Sequence, residues 1–253
     1  IETNIGGYYD IVLPGLLDEN PGAAAAYSLR RLSSTYTGSA VRVQRADNVG
    51  GTTDIGFDGY GDLDTAALTT AAAGNSMVVV TWFDQSGSGN DATQGTSANR
   101  PKIYDGTTGV VLENGKPAVD MIDTSDFLDA NLSLTQPCTI VSVNKAEYTG
   151  AYSLISRGGI PGIWYGYLNN GNYGVYAGSW LTASGSANQR LDAFVIDGSS
   201  TELYQNSSLL TSGNAGTANS TGNDIGNNNT NQNFTGTIQE LIFYNSDQSS
   251  NRT

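Results

Sequence analysis

A run of aromatic and amide side chains between Trp164 and Trp180 is the first place where this sequence could do chemistry. Flat aromatic faces stack on pyranose rings, and neighbouring amides exchange hydrogen bonds with sugar hydroxyls. Because strands favour aromatic residues in any case, the alternative is that alternate members of the run belong to the core and the rest are ordinary strand surface. The predicted glycan-binding set is Trp164, Tyr165, Tyr167, Asn169, Asn170, Tyr173, Tyr176 and Trp180.

A second group of oxygen-bearing side chains could hold a cation. It consists of Asp84, Ser86, Asn90 and Asp91. Ca²⁺ takes oxygen ligands of this kind, although the spacing is not that of the EF-hand loop. The same residue types close turns through hydrogen bonds to their own backbone, which is the alternative. The sequence therefore predicts no organic cofactor. Whether these four residues bind Ca²⁺ is left as an alternative.

The rest of the composition excludes several classes of chemistry. The chain has no histidine and one cysteine, Cys138, so histidine acid–base catalysis, Ser-His-Asp triads, histidine-ligated zinc and internal disulfides are ruled out. The net charge of −13 and the pI near 4.1 disfavour binding to nucleic acid and to anionic membranes. No apolar run is long enough to cross a bilayer. Chemistry built on carboxylates, amides and aromatic rings remains.

Short strands must position these residues. Met77 to Phe83 is a continuous apolar, β-branched run, typical of a strand buried on both faces, and it leads into the polar loop Asp84–Asn90. Turns rich in glycine and asparagine separate the other strands, and their spacing predicts an all-β antiparallel sandwich with two or three short helices. The other predicted strands are 40–45, 116–122, 139–145, 152–156, 162–167, 173–178, 191–197, 201–205 and 237–245.

The short helices are predicted from caps and breakers. Residues 1–9 have two isoleucines four apart, residues 22–32 follow Asn20 and Pro21, and Thr65–Ala73 follows Asp64 and precedes Gly74. Residues 10–22 are predicted to be a linker. The stretch 211–233, dense in Ser, Gly, Asn and Thr, is predicted to be a loop or a loosely paired hairpin.

The run Trp82–Gln94, with the sequence WFDQSGSGNDATQ, resembles a signature of the catalytic domain of fungal α-L-arabinofuranosidase B. It is equally similar to laminin-G-type, concanavalin-like modules of phage and bacterial surface proteins. The resemblance covers most of residues 23–253 and implies a jelly-roll, laminin-G/concanavalin-like sandwich. The further matching runs are 26–32, 36–43, 54–58, 62–64, 114–118 and 236–244.

The resemblance also implies where catalytic groups would lie. Glycoside hydrolysis needs two carboxyl groups across the scissile bond. The stretch that compares with the family's nucleophilic glutamate, 158–180, contains neither Asp nor Glu, and Asn229 best matches the family's acidic aspartate. Asparagine cannot donate the proton. We therefore predict no catalytic residues and no enzyme activity. The alternative is a glycoside hydrolase of the arabinofuranosidase type, for which a shift of register would bring in Asp224.

The chain ends extend this prediction to assembly. In similar modules a segment like Ser249–Thr253 is followed by one like Ile1–Tyr9, so the start of this chain resembles the continuation of its end. We predict residues 1–22 to be a helix and linker, in part the end of a preceding repeat, and 23–253 to be the sandwich. The alternative is that the helix at 1–9 packs back on this domain as a permuted edge. The predicted function is a noncatalytic structural or adhesive module of an extracellular, cell-surface or virion-surface fibre. Its predicted partners are head-to-tail copies and cell-surface glycans.

Overall fold

The computed structural model describes residues 14–121, 123, 125–147, 152–156, 163–167, 172–185, 188–226 and 234–251. Throughout these ranges every strand pairing is antiparallel, and strands far outnumber helices. The predicted all-β antiparallel sandwich is therefore confirmed. The described helices are α1 (Leu16–Glu19) and α2 (Thr65–Ala72), with short 3₁₀ turns at Ser97–Asn99, Gly198–Ser200 and Ser249–Asn251.

The strands of the first half of the described chain are β1 (Ala25–Ser28), β2 (Val41–Arg45), β3 (Thr53–Ile55), β4 (Met77–Trp82), β5 (Ala92–Thr93), β6 (Lys102–Asp105), β7 (Gly109–Val110), β8 (Leu112–Glu113), β9 (Lys116–Pro117), β10 (Val119–Met121) and β11 (Leu128–Leu134). Those of the second half are β12 (Cys138–Ala146), β13 (Tyr152–Ser156), β14 (Trp164–Tyr167), β15 (Asn172–Tyr176), β16 (Trp180–Ser184), β17 (Arg190–Ile196), β18 (Thr201–Gln205), β19 (Ser208–Gly213), β20 (Ser220–Ile225) and β21 (Gly236–Tyr244).

The strands form two layers. The first sheet has the order β3–β2–β4–β5–β11–β20–β13–β14–β15–β16. The second has the order β6–β10–β21–β12–β17–β18–β19, with β1 beside β21 on the same side as β10. Strand β4 belongs to both layers, because its first half pairs with β6.

Large apolar side chains fill the space between the layers. Trp82 of the first sheet and Phe243 of the second both pack on Tyr27, with ring centroids 6.0 and 6.2 Å away. Tyr173 and Phe194 meet across the layers with centroids 5.2 Å apart. All five side chains are fully buried. This interior fixes which side of each strand faces out, since successive side chains alternate between the two faces.

Two segments differ from the sequence prediction. The predicted helix at 22–32 is wrong, because β1 occupies its centre and pairs with β21 along its whole length. All four β1 residues are buried, so packing on both faces overrides the helix propensity of the alanines. In the predicted loop 211–233, β19 and β20 are regular strands up to Ile225, and residues 227–233 lie outside the described residues.

The helix predicted at 65–73 is confirmed as α2. The Asp64 carboxylate accepts a hydrogen bond from the Ala67 N–H at 2.8 Å, and Ala73 ends the helix in the left-handed conformation, just before the predicted Gly74. Residues 1–13 lie outside the described residues. Inside the predicted linker, Leu17 of α1 is buried with Leu32. The domain boundary at residue 22 stays a prediction.

Candidate functional site: a carboxylate pair on the outer face of the first sheet

A polar row crosses the outer face of the first sheet. Asp224 on β20 lies directly opposite Asp129 on β11, and Asp129 lies opposite Thr93 on β5. The row continues through Thr81 on β4 to Arg42 on β2. Residues opposite one another in an antiparallel pair share a face of the sheet. The two carboxylates are therefore near the middle of a continuous polar surface.

The burial pattern shows that this is the outer face. Leu128 and Ala130, on either side of Asp129, are in the core, as is Ile225 next to Asp224. Asp129 itself is exposed, whereas only 9% of Asp224 is accessible. The two aspartates thus differ in hydration although they occupy the same position on neighbouring strands.

The spacing of the two aspartates suits chemistry at a glycosidic bond. Directly opposite residues of an antiparallel pair have Cβ atoms about 4.5 to 5.5 Å apart. Retaining glycoside hydrolases hold their two carboxyl groups about 5 to 5.5 Å apart. The register shifts just after Asp129, where Asn131 has a φ of 45°, and the Asp129 carboxylate accepts the Asn131 N–H at 2.8 Å. Such bulges are common beside active sites, where they re-aim a side chain.

Aromatic residues continue the row on the far side of Asp224. Ser156 on β13 lies opposite Asp224, and Trp164, Tyr176 and Trp180 lie opposite one another on β14, β15 and β16. The rings of Tyr176 and Trp180 have centroids 5.2 Å apart with planes inclined at 52°. Trp180 is 43% exposed. The outer face therefore carries the carboxylate pair and an aromatic pair on the same sheet.

The structure separates the predicted glycan-binding set into different environments. Tyr173 is fully buried, and its hydroxyl donates to the Asp192 carboxylate inside the sandwich. Tyr176 and Trp180 contact each other on the outer face. Asn169 and Asn170 lie outside the described residues, and only the backbone of β14, which includes Tyr165 and Tyr167, is described. Glycan binding by this set stays a prediction.

The predicted cation ligands do come together, around Asp84. One carboxylate oxygen of Asp84 accepts the N–H groups of Ala26 and Ser86, both at 2.8 Å. The other accepts the Ser86 hydroxyl at 2.8 Å and the Asn90 N–H at 3.0 Å. Asp91 accepts the Asp84 N–H at 2.9 Å. These hydrogen bonds close the turn on itself, which is the alternative that the sequence analysis gave to a cation site.

Ca²⁺ at these residues stays a prediction. Across the described ranges, no three or more acidic or cysteine side chains are arranged to hold a metal ion. The neighbouring Gln85 has a structural role as well, since its amide donates to the Ser28 carbonyl and accepts the Leu32 N–H. The loop thereby joins the edge of β1 to the first sheet.

A second acidic group lies where β10 and β11 are connected. Burial raises the pKa of Asp126 to about 7, against a hydrogen bond from the Asp123 N–H that lowers it. Burial, reinforced by the charge of Glu147, raises the pKa of Asp120 to about 6. Asp120 is on β10, opposite Lys102 and Thr237 of the second sheet. It therefore belongs to the other layer of the sandwich.

The outer face of the second sheet has a different character. A cavity of about 330 Å³ lies there, lined by aliphatic side chains such as Val141, Val143 and Ile242. Its carboxylate, Glu240, accepts hydrogen bonds from the Ser28 hydroxyl at 3.0 Å and from Arg30 at 2.9 and 3.1 Å. The residues that line this cavity include Tyr204 and Tyr244 but only one carboxylate, Glu240, so it offers no pair of carboxylates.

Almost every carboxylate of the chain lies at a described position. Of the 24 Asp and Glu residues, only Glu2 and Asp10 fall outside the described ranges. Asn229, the predicted match to the family's acid, also lies outside them. Asp224 is the penultimate residue of β20, the strand before Asn229, so the residue that the sequence offered through a shift of register is the one that the fold places in a pair. Reasoning from the sequence missed Asp129, whose only signal was the alternation of β11.

The family model for the catalytic domain of α-L-arabinofuranosidase B matches residues 17–118. A curated relative, α-L-arabinofuranosidase B of Emericella nidulans, is 26% identical over 194 residues, which are 64% of this chain and 37% of that protein. The chain thus spans little more than a third of the relative's length.

Solved structures show the same fold. An arabinofuranosidase complexed with arabinofuranosyl-α-1,2-xylobiose superposes with a TM-score of 0.72 at 19% identity, covering 91% of this chain and 60% of that one. A GH54 α-L-arabinofuranosidase soaked with a cyclic sulfate inhibitor gives a TM-score of 0.71 at 18% identity, with the same coverage. The sandwich is therefore the fold of an arabinofuranosidase catalytic domain.

These matches correct several predictions. The noncatalytic structural or adhesive module is wrong, and so is the prediction that the chain is not an enzyme, because the matched family model is that of a catalytic domain and the relatives are arabinofuranosidases. The laminin-G-like surface module of phage and bacteria, the tandem fibre and the head-to-tail partners have no support from them. An extracellular location agrees with the matches, and a virion surface does not.

The absence of the expected carboxylates misled the prediction. The prediction of no activity depends on the absence of Asp and Glu from 158–180 and on the asparagine at position 229. The fold instead brings Asp129, from a strand distant in the sequence, beside Asp224. Pairing across strands is not visible in the spacing of the residues along the chain.

No helix of the described ranges is long and apolar enough to cross a membrane.

Proposed function

We propose that this chain is the catalytic domain of a glycoside hydrolase that releases α-L-arabinofuranosyl groups. The observation that carries the proposal is the Asp129–Asp224 pair on the outer face of a sandwich with the arabinofuranosidase fold. One structure of the same fold is an arabinofuranosidase complexed with arabinofuranosyl-α-1,2-xylobiose, which supports an arabinofuranosyl group as the one that is released.

The two aspartates take different roles in this proposal. Burial favours the protonated form of a carboxyl group, so Asp224, with 9% of its surface accessible, is the better proton donor to the leaving oxygen. Asp129 is exposed and faces solvent on the same side, so it can attack the anomeric carbon as a carboxylate. Water then hydrolyses the glycosyl–enzyme bond, with Asp224 acting as the base.

The short separation predicts the stereochemistry. The register places the Cβ atoms of the two aspartates directly opposite each other. Carboxyl groups held as close as in retaining enzymes, about 5 to 5.5 Å, leave no room for a water molecule between Asp129 and the sugar, so the proposed reaction proceeds through two displacements with net retention. Thr93, directly opposite Asp129 on the neighbouring strand, lies beside the nucleophile and can exchange hydrogen bonds with the hydroxyls of the arabinose ring.

The test compares matched carboxyl-to-amide variants. We expect the wild-type chain to hydrolyse 4-nitrophenyl α-L-arabinofuranoside, and Asp224→Asn and Asp129→Asn to lower kcat by about a thousandfold or more with the fold unchanged by circular dichroism. Glu240→Gln, on the outer face of the second sheet, is the control and should keep wild-type kcat among its folded molecules. Proton NMR of the first-formed sugar should show the retained anomer.

Two outcomes would overturn the proposal. One is a folded wild-type chain without activity on arabinofuranosides. The other is an active chain in which Asp224→Asn and Asp129→Asn retain the kcat of the Glu240→Gln control, which would place the reacting carboxyls elsewhere.

A further inference from the structure

The aromatic pair lies at a distance from the carboxylates that points to a larger substrate than one arabinose unit. Neighbouring strands are about 4.8 Å apart. From β20, which carries Asp224, the row passes β13 and β14 before it reaches Tyr176 on β15 and Trp180 on β16. Tyr176 is thus about 14 Å and Trp180 about 19 Å from the reacting carboxyl along the row. One sugar ring cannot span that interval.

The direction in which these side chains point follows from the strand pattern. Val175 and Ala177, the neighbours of Tyr176, are fully buried in the core. Tyr176 therefore faces outward, on the side that also carries Asp224 and Asp129. Trp180 is opposite Tyr176 and is 43% exposed, so part of its ring faces solvent.

The platform is held rigidly. The turn between β15 and β16 is bound to the segment before β20, with Ala177 and Ser179 N–H groups each donating to the Ala215 carbonyl at 2.9 Å. The Ala218 N–H donates in return to the Ala177 carbonyl at 2.7 Å. At Gly216 an added Cβ would lie 2.3 Å from the Ala177 carbonyl oxygen, so only glycine allows this approach. A fixed aromatic surface costs little entropy when a ligand stacks on it.

Charge narrows the chemistry of the ligand. The chain carries a net charge of −13, and the row includes two carboxylates. Acidic glycans would be repelled along this face, whereas neutral glycans would not. Aromatic faces favour the apolar faces of sugar rings. A neutral oligosaccharide or polysaccharide fits both conditions.

We propose that Tyr176 and Trp180 form a distal subsite that binds the main chain of a neutral polysaccharide several sugar residues away from the arabinofuranosyl bond. The glycan lies across the strands, along the row from the aromatic pair to Asp224. The substrate class is therefore an arabinose-substituted polysaccharide rather than a small arabinoside. This inference rests on the proposed function, and it adds where the remainder of the substrate binds.

The first measurement is binding as a function of chain length. Arabinofuranosyl-substituted xylo-oligosaccharides of increasing length are titrated by calorimetry into the full chain carrying Asp224→Asn, which prevents turnover. Affinity should rise once the oligosaccharide is long enough to reach Trp180. Adding Trp180→Ala should remove that rise and weaken binding of the long ligands by about tenfold. Tyr60→Ala is the control, because Tyr60 is a 96% exposed aromatic on a loop between β3 and α2.

The second measurement separates this inference from the proposed function. In the otherwise wild-type chain, Trp180→Ala should raise KM for the polysaccharide about tenfold and leave kcat/KM for 4-nitrophenyl α-L-arabinofuranoside unchanged. Binding that rises with length in a chain without hydrolase activity would keep the subsite and reject the enzyme. Activity on the small arabinoside with identical binding by Trp180→Ala and Tyr60→Ala at every length would reject the subsite and keep the enzyme.

Discussion

Two regions of the first sheet present carboxylates, and their surroundings differ. Asp84 is 5% accessible, and its two oxygens accept four hydrogen bonds from Ala26, Ser86 and Asn90. Asp129 faces another carboxylate, Asp224, directly across the strands. The first arrangement uses its charge to satisfy backbone N–H groups, whereas the second places two carboxyl groups side by side, which is destabilising whenever both are ionised.

The difference shows that the sequence motif with the strongest family resemblance has a structural role, whereas the candidate catalytic pair belongs to no motif. The Asp84–Asn90 run gives the strongest family resemblance in the sequence, and in the structure its side chains bind the loop to β1. The carboxylate pair has no motif of its own. Two acidic side chains placed side by side are an arrangement expected where function requires it.

The largest effect on stability is expected from Asp84→Ala. It would leave the N–H groups of Ala26, Ser86 and Asn90 without an acceptor in a partly buried turn, so we expect the free energy of unfolding to fall by about 3 to 5 kcal/mol. Urea denaturation measures the change. Asp84→Asn keeps one acceptor oxygen, so its free energy of unfolding should fall by less than that of Asp84→Ala. If folded Asp84→Ala instead kept its stability and lost its kcat, the loop would belong to the active site and the comparison would fail.

The sequence predicted the sheet-forming parts of the fold well, because they depend on local alternation. Strands such as Tyr152–Ser156 and Thr201–Gln205 were predicted to the residue, and Asp64 marked the start of α2. The strand at Ala25–Ser28 was not, because its four buried residues carry no alternation and owe their conformation to β21. The candidate site was predicted only in part. Tyr176 and Trp180 are recognisable in the sequence because they lie in a run of aromatic and amide residues. The pairing of Asp129 with Asp224 is not, because it depends on the register of strands that are far apart in the sequence.

A smaller effect on stability is expected from pH at the junction of β10 and β11. The folded-state pKa of Asp126 is raised by burial to about 7, above the value of about 3.9 in an unfolded chain. The unfolded state therefore releases its proton first, and stability is fully present below about pH 4 and is lost as pH rises to about 7. We expect Asp126→Asn to flatten the pH dependence of unfolding over this window, by on the order of 2 to 3 kcal/mol.

Asp105→Asn is the matched control for that pH series. The pKa of Asp105 is lowered, first by the Thr107 N–H and then by Lys102. Its contribution to stability is therefore present at neutral pH and is lost as pH falls through the lowered folded-state pKa, below the window of Asp126. Between pH 4 and 7, the free energy of unfolding of Asp105→Asn should change with pH as steeply as that of the wild type. Equal slopes in wild type and Asp126→Asn would contradict the raised pKa and show that Asp126 is ionised in the fold.

The smallest predicted effect bears most directly on the comparison. At a pH high enough to ionise both carboxyl groups, Asp129→Asn removes one of two like charges and keeps the oxygen that accepts the Asn131 N–H, so the free energy of unfolding should rise there by about 0.2 to 1 kcal/mol. Asp54→Asn, in the same row, breaks a 2.6 Å ion pair with Arg42 and should lower it by less than about 1 kcal/mol. Thermal unfolding at low salt gives both shifts. A gain in stability together with a loss of kcat in Asp129→Asn is the signature of a carboxylate placed for chemistry. A loss of stability as large as that of Asp84→Ala would instead make Asp129 a structural residue, and the two regions would then have the same role.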